Sequence, residues 1–187
     1  MAPTICSPRI PLAVAAGALA AVCGWAGPSS ASTSSPASYG TPSCTASNLK
    51  VTNGGSQGAA GSVYTDIVFT NISGHTCDTS GYPGASLLTR SGRQVGAAAT
   101  HPINQLPMLV TLAPGAKAHA TLRVVDAGNY PRSVCRPVPT AWLRINPPVI
   151  GPNPTRSVRL RYPSTGCANH AVKLLSITSV GAGAGNP

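Results

Sequence analysis

The sequence predicts an antiparallel β-sandwich of the immunoglobulin-like kind, with about eight strands stapled by disulfides. Three features point there. Apolar and polar residues alternate with a period of two in segment after segment, the signature of half-buried strands. The 20 Gly and 19 Pro punctuate those segments at short intervals, which suits strands joined by turns. Four cysteines remain once an N-terminal leader is set aside, and an even count in an exported chain reads as a disulfide framework. Charged residues make up 9% of the chain and aromatics 4%, with no Glu, a composition unlike that of a helical bundle.

Taken in order, residues 49–52 form a short apolar run that opens the body. In residues 62–71, Val63, Thr65, Ile67 and Phe69 share one face, the expected core face. Tyr64, Asp66, Val68 and Thr70 share the other, expected to face outward. Residues 85–89 and 108–112 are brief apolar runs. In residues 117–125, Ala118, Ala120, Leu122 and Val124 alternate with His119, Thr121 and Arg123. Ala141, Leu143 and Ile145 stand opposite Trp142 and Arg144, and Val158, Leu160 and Tyr162 stand opposite Arg159 and Arg161. Residues 172–178 close the set. Ser73-Gly74, Gly81-Tyr82-Pro83-Gly84, Ser91-Gly92, Pro114-Gly115 and the Pro-rich run 146–154 supply the turns.

The termini read differently. Residues 1–31 carry Arg9, an apolar stretch over 10–22 and the small residues Ser29-Ser30-Ala31, the layout of a cleaved signal peptide. The apolar stretch is shorter than the roughly 20 residues a membrane-spanning helix needs. A lipid-modified cysteine follows a small residue, and Cys23 follows Val22, so Cys23 is expected to leave with the leader. Residues 32–43, rich in Ser, Thr and Pro, form a linker without an apolar period. The sandwich domain is expected over 44–180, and residues 181–187 as a flexible tail. No transmembrane segment is expected in the mature chain, which would be secreted or associated with the cell envelope.

Cys44, Cys77, Cys135 and Cys167 are the four that remain. They allow three pairings. The preferred one joins Cys44 to Cys77 and Cys135 to Cys167, because the two sequence separations are nearly equal and each bridge would staple one half of the domain.

Two segments resemble a known family. Phe69-Thr70-Asn71-Ile72-Ser73-Gly74-His75-Thr76-Cys77, followed by Ser80-Gly81-Tyr82-Pro83, is similar to the signature of an actinobacterial exported family, domain of unknown function 4232. Leu112-Ala113-Pro114-Gly115 and Val134-Cys135-Arg136-Pro137 resemble its second half. The resemblance spans about residues 44–177. It implies an exported or lipid-anchored envelope domain with a β-sandwich-like fold, and supplies no catalytic residue. Two positions after Cys77, where that family is often apolar, this chain has Thr79.

Candidate chemistry is sparse. Ser164-Thr165-Gly166-Cys167-Ala168-Asn169-His170 resembles the S-x-G-C box of cell-wall L,D-transpeptidases, in which a thiolate beside a base attacks a peptide carbonyl. An envelope enzyme using Cys167 and His170 is therefore the rival reading. Cys167 is more simply a disulfide partner entered by a Ser-Thr-Gly turn. His75, Cys77 and Asp78 include metal-ligating types, yet with Cys77 bridged two ligands remain, and His101, His119 and His170 are scattered. Asp66, Asp78 and Asp126 do not form an evident catalytic pair. No Gly-rich phosphate loop is present. No catalytic residue, metal or cofactor is expected.

Positive charge is the remaining feature. Thirteen Lys and Arg against three acids give +10, and loss of Arg9 with the leader leaves twelve against three, or +9. Arg159 and Arg161 leave the same strand face, with Arg144 in the same outward phase on a neighbouring strand. Arg123, Arg132, Arg136 and Arg156 lie in the same half of the chain. Guanidinium groups so arranged suit phosphate or carboxylate ligands. The partners expected are an anionic cell-wall polymer or another envelope protein. Nucleic acid is disfavoured because no aromatics interleave with the basic positions. The function expected is a non-enzymatic binding or structural module, with a passive exported scaffold as the plainer alternative.

Overall fold

The computed structural model describes residues 40–150 and 156–185. The expected leader, with Cys6 and Cys23, and the linker up to residue 39 lie outside the described residues, as do 151–155 and the last two residues.

The chain forms an antiparallel β-sandwich. One sheet contains β1 (Leu49–Ala59), β2 (Ser62–Asn71), β7 (Lys117–Val125) and β10 (Leu175–Ile177) in that order, with β11 (Gly181–Ala182) also pairing with β7. The other runs β5 (Gln94–Val95), β4 (Gly84–Leu88), β8 (Pro137–Asn146) and β9 (Val158–Cys167). A small ladder joins β3 (Cys77–Thr79) to β6 (Val110–Leu112). A 3-10 turn at Ala127–Asn129 and one helical turn, α1 (Arg132–Cys135), are the only helical pieces among the described residues. β3, β5 and β11 are two or three residues long, too short for alternation to show in sequence.

The core lies between the two sheets. Ile67 and Phe69 of β2 and Ala118, Ala120, Leu122 and Val124 of β7 meet Leu87 of β4 and Leu143 and Ile145 of β8. Alternating β-branched and aliphatic residues on pleated strands bury one face in this way. A satellite cluster gathers Ala127, Val172 and Leu174 around Cys135 and Cys167. Both bridges adopt the preferred pairing, Cys44–Cys77 and Cys135–Cys167, with separations of 33 and 32.

Three expectations about faces are corrected. Val63 is 44% exposed rather than in the core, because it stands one residue from the start of β2, where the sandwich opens. Asp66 and Val68, expected to face solvent, are 5% and 6% exposed. The C-terminal residues and β1 cover them. Gly185 lies so close to the Asp66 carboxylate that a Cβ there would collide with it, and a Cβ on Gly54 would sit 2.9 Å from Val68 Cγ2. Ala141 gives up its inward place to Thr140, because the β8–β9 register shifts between Thr140 and Trp142. One extra residue there resets the alternation, so Thr140 and Leu143 both point inward.

The ends of the domain are also held. Residues 181–185, read as a soft tail, pair with β7 through Gly181 and Ala182, and the Gly183 amide donates to the Lys117 carbonyl. At the other end, Ser43 bridges to Asp78 and the Asp78 amide donates to the Pro42 carbonyl.

The signature segments are structural. Asn71 is buried; its Nδ2 donates to the His75 and Leu112 carbonyls, both at 2.9 Å, and its Oδ1 accepts from the Ser73 amide and hydroxyl. Asn71→Leu leaves those carbonyls without this donor and is expected to cost about 2–3 kcal/mol. The denaturation midpoint measures it; an unchanged midpoint would show that the loop satisfies itself by other means. Thr79, the polar departure, is buried and donates its hydroxyl to the Pro148 carbonyl at 2.8 Å.

Candidate functional site

The outer face of the four-stranded sheet collects the basic residues. Period two on β9 sends Arg159 and Arg161 to one side, both exposed. Antiparallel pairing places Arg144 opposite Arg159 and Trp142 opposite Arg161. Directly opposed like charges repel across a strand pair, and here the two guanidinium groups have separate neighbours. Arg144 is half-buried and donates through Nη2 to Gln94 Oε1 and, at 3.4 Å, to Ser86 Oγ. The Arg159 guanidinium lies beside Gly92 of the β4–β5 turn, where an added Cβ would stand 3.4 Å from Nη1.

That turn brings in two residues the sequence reading did not group with the others. Arg90 and Arg93 both belong to it and both are exposed. The turn signal Ser91-Gly92 was legible, but its position beside Arg159 was not. A shallow groove of about 670 Å³ runs beside it, with Arg90 and Arg161 among its walls and Val138, Pro139, Ala141 and Pro163 supplying apolar surface. β4, β5, β8 and β9 and the β4–β5 turn contain no Asp or Glu. The three acids lie elsewhere and take neutral donors. Asp66 accepts from the Thr121 hydroxyl, Asp78 from the Thr111 hydroxyl and Asp126 from the Gly128 amide.

The face therefore carries one sign of charge, with donors and no acceptor carboxylates. Forked guanidinium donors over a shallow apolar floor fit ligands that present carboxylate or phosphate groups on a less polar body. Trp142 corrects the expectation that no aromatic accompanies the basic positions: it shares their face, half-buried, opposite Arg161. One half-buried indole does not make the series of stacking platforms that single-stranded nucleic acid uses. Arg123 does not join the face; it lies on β7 in the other sheet, where its Nε donates to Ser62 Oγ.

A second cleft, about 820 Å³, opens between the sheets at the same end and includes Ser62, Thr65, Asp126, Arg161, Tyr162 and Ser164. Ser56 and Thr65 share a hydrogen bond at 2.9 Å, and Thr65 and Tyr162 one at 3.4 Å. These hydroxyls hydrogen-bond one another, and the Asp126 carboxylate in the same cleft accepts from the Gly128 amide.

Cys167 is buried and bonded to Cys135, while His170 is exposed. No thiolate stands there while the bridge is intact. Ser164-Thr165-Gly166 is not a turn but the end of β9. His75 Nε2 lies 3.4 Å from Asn48 Nδ2, and its neighbour Cys77 is bonded to Cys44. Among the described residues no three His, Cys, Asp or Glu side chains are grouped to hold a metal, and no helix is long and apolar enough to cross a membrane.

Compared with known protein families, residues 44–181 match the family described as Domain of unknown function (DUF4232). No curated protein and no solved structure matches the chain.

Proposed function

The chain belongs to the DUF4232 family, and from that premise we propose that it is an exported, non-enzymatic binding module whose basic sheet face engages anionic polymers of the cell envelope. One observation carries the reading. An entire sheet face bears arginines and no carboxylate, beside a groove walled in part by Arg90 and Arg161. A solubilising charge needs no such segregation, whereas a ligand surface gains from it by steering an oppositely charged partner. The two disulfides support work outside the cytoplasm, since such bonds persist in oxidising compartments. The sulfur chemistry of the rival enzyme would require Cys167 free.

Arg159 and Arg161 are exposed and Arg144 is hydrogen-bonded within the sheet, so their contributions differ. Arg159→Gln with Arg161→Gln is expected to lower retention on isolated cell walls by about tenfold and to flatten its dependence on salt, because fewer counterions are exchanged. Arg144→Gln alone should change retention by less than about threefold. Retention of the double variant equal to wild type at both low and high salt would leave the passive scaffold as the better account.

A further inference from the structure

The large apolar side chains that are exposed concentrate at one end of the sandwich. Six of them, Ile72, Ile103, Leu106, Met108, Leu109 and Ile150, lie in connections where β2 and β8 finish and β4, β7 and β9 begin. Val63 and Val134, the other two among the described residues, lie at the opposite end. Within residues 101–109 every residue is exposed, and Ile103 and Leu106 are 96% and 84% accessible. From Gln94 to Ala116 the chain carries no Lys, Arg, Asp or Glu.

This loop is anchored rather than loose. The Tyr82 ring stacks on His101 with centroids 4.4 Å apart, and its hydroxyl donates to the Gln105 carbonyl. Gln105 Oε1 accepts from the Ser179 amide at 3.0 Å. A secured base with apolar side chains held clear of the body differs from a hydrophobic segment that failed to pack.

Cations flank the same end. Lys50 and Lys117 both pair with Thr70, so they stand one on each side of it across three strands, and both are exposed. Arg156, just before β9, is exposed as well. Asp78 is the acid at this end, and its carboxylate accepts from the Thr111 hydroxyl at 2.6 Å. His75 and His101 are there too, exposed.

We propose that this end docks on an anionic lipid surface. Ile103, Leu106, Met108 and Leu109 enter the boundary between headgroups and acyl chains, and Lys50, Lys117 and Arg156 meet the headgroup phosphates. An uncharged apolar tip beside basic residues is the pairing that interfacial binding requires, with burial and headgroup attraction acting together. A protein partner would be met by a surface that buries its apolar groups in complementary packing; here all four side chains are exposed, Ile103 and Leu106 almost wholly. The groove beside Arg90 and Arg161 opens at the opposite end, whereas Arg159 of the basic face lies three residues from Arg156.

The test uses the mature chain, residues 32–187, and vesicles of phosphatidylglycerol mixed with phosphatidylcholine. Leu106→Trp places an indole on the tip. Its emission is expected to shift to shorter wavelength on vesicle addition and to be quenched by brominated acyl chains, relative to the unsubstituted chain. Ile103→Ser, Leu106→Ser and Met108→Ser together should lower partitioning roughly tenfold. Lys50→Gln with Lys117→Gln should remove most of the preference for the anionic lipid. Three results would overturn the proposal: an indole at position 106 that stays in water while the chain sediments with vesicles, equal partitioning of the triple serine variant, or a vesicle-free dimer that the same variant dissolves. The last would make the apolar end an interface between copies.

Discussion

Phe69→Ala is expected to destabilise the domain by about 3–5 kcal/mol, the largest effect of any single core truncation here. Phe69 is the one phenylalanine in the chain and is fully buried. Its neighbours in the core are Leu, Ile, Val and Ala from both sheets, and none is large enough to close the void an alanine would leave. Interiors pack as densely as organic crystals, so a lost ring removes both transfer free energy and dispersion contacts. Urea denaturation followed by near-ultraviolet dichroism would measure the change. Ile72→Ala serves as the control, since Ile72 is 60% exposed and its loss should cost less than about 0.5 kcal/mol. Similar losses from both substitutions would mean that the two sheets do not share one cooperative core.

Replacing Cys135 and Cys167 together with alanine is expected to cost about 3–4 kcal/mol. The bridge closes a loop with a separation of 32, and opening it restores conformational freedom to the unfolded chain. A second cost is local. The bridge lies in the satellite cluster with Ala127, Val172 and Leu174, a group too small to hold itself together once the covalent tie is gone. Cys44→Ala with Cys77→Ala should cost a similar amount by the entropic argument, since its separation is 33. It also anchors the start of the domain, where the Cys44 amide donates to the Asp78 carbonyl at 2.7 Å. Thermal melts of the two variants and alkylation of the native protein would check both points. Ready alkylation of Cys167 in the folded, unreduced protein would contradict the bridge and revive the thiol chemistry with His170 as its base.

Most strands were legible because alternation survives wherever one face of a strand is buried. β7 shows it best, with Ala118, Ala120, Leu122 and Val124 all inward. Legibility failed in three identifiable ways. At Val63 the pattern continued past the point where the opposite sheet stops covering it. At Asp66 and Val68 burial came from the C-terminal residues and from β1, segments distant in sequence or lacking large side chains. At Ala141 a single bulge exchanged inward and outward positions, and no residue type there announces it. The basic face was partly legible: phase on β9 grouped Arg159 with Arg161, while Arg90 and Arg93 joined through a turn whose lean is set by the neighbouring strands.

By itself the sequence determined the β class, the four bridged cysteines, the excess of positive charge and the family. These follow from period, count and short motifs, which are local properties. Only the tertiary structure decided which arginines share a surface, which are held by Gln94 and Ser86 rather than free, and that the exposed apolar residues gather at one end. Those outcomes depend on register, on a bulge and on which connections meet where strands end. Such relations join residues far apart in the chain, and no local pattern encodes them.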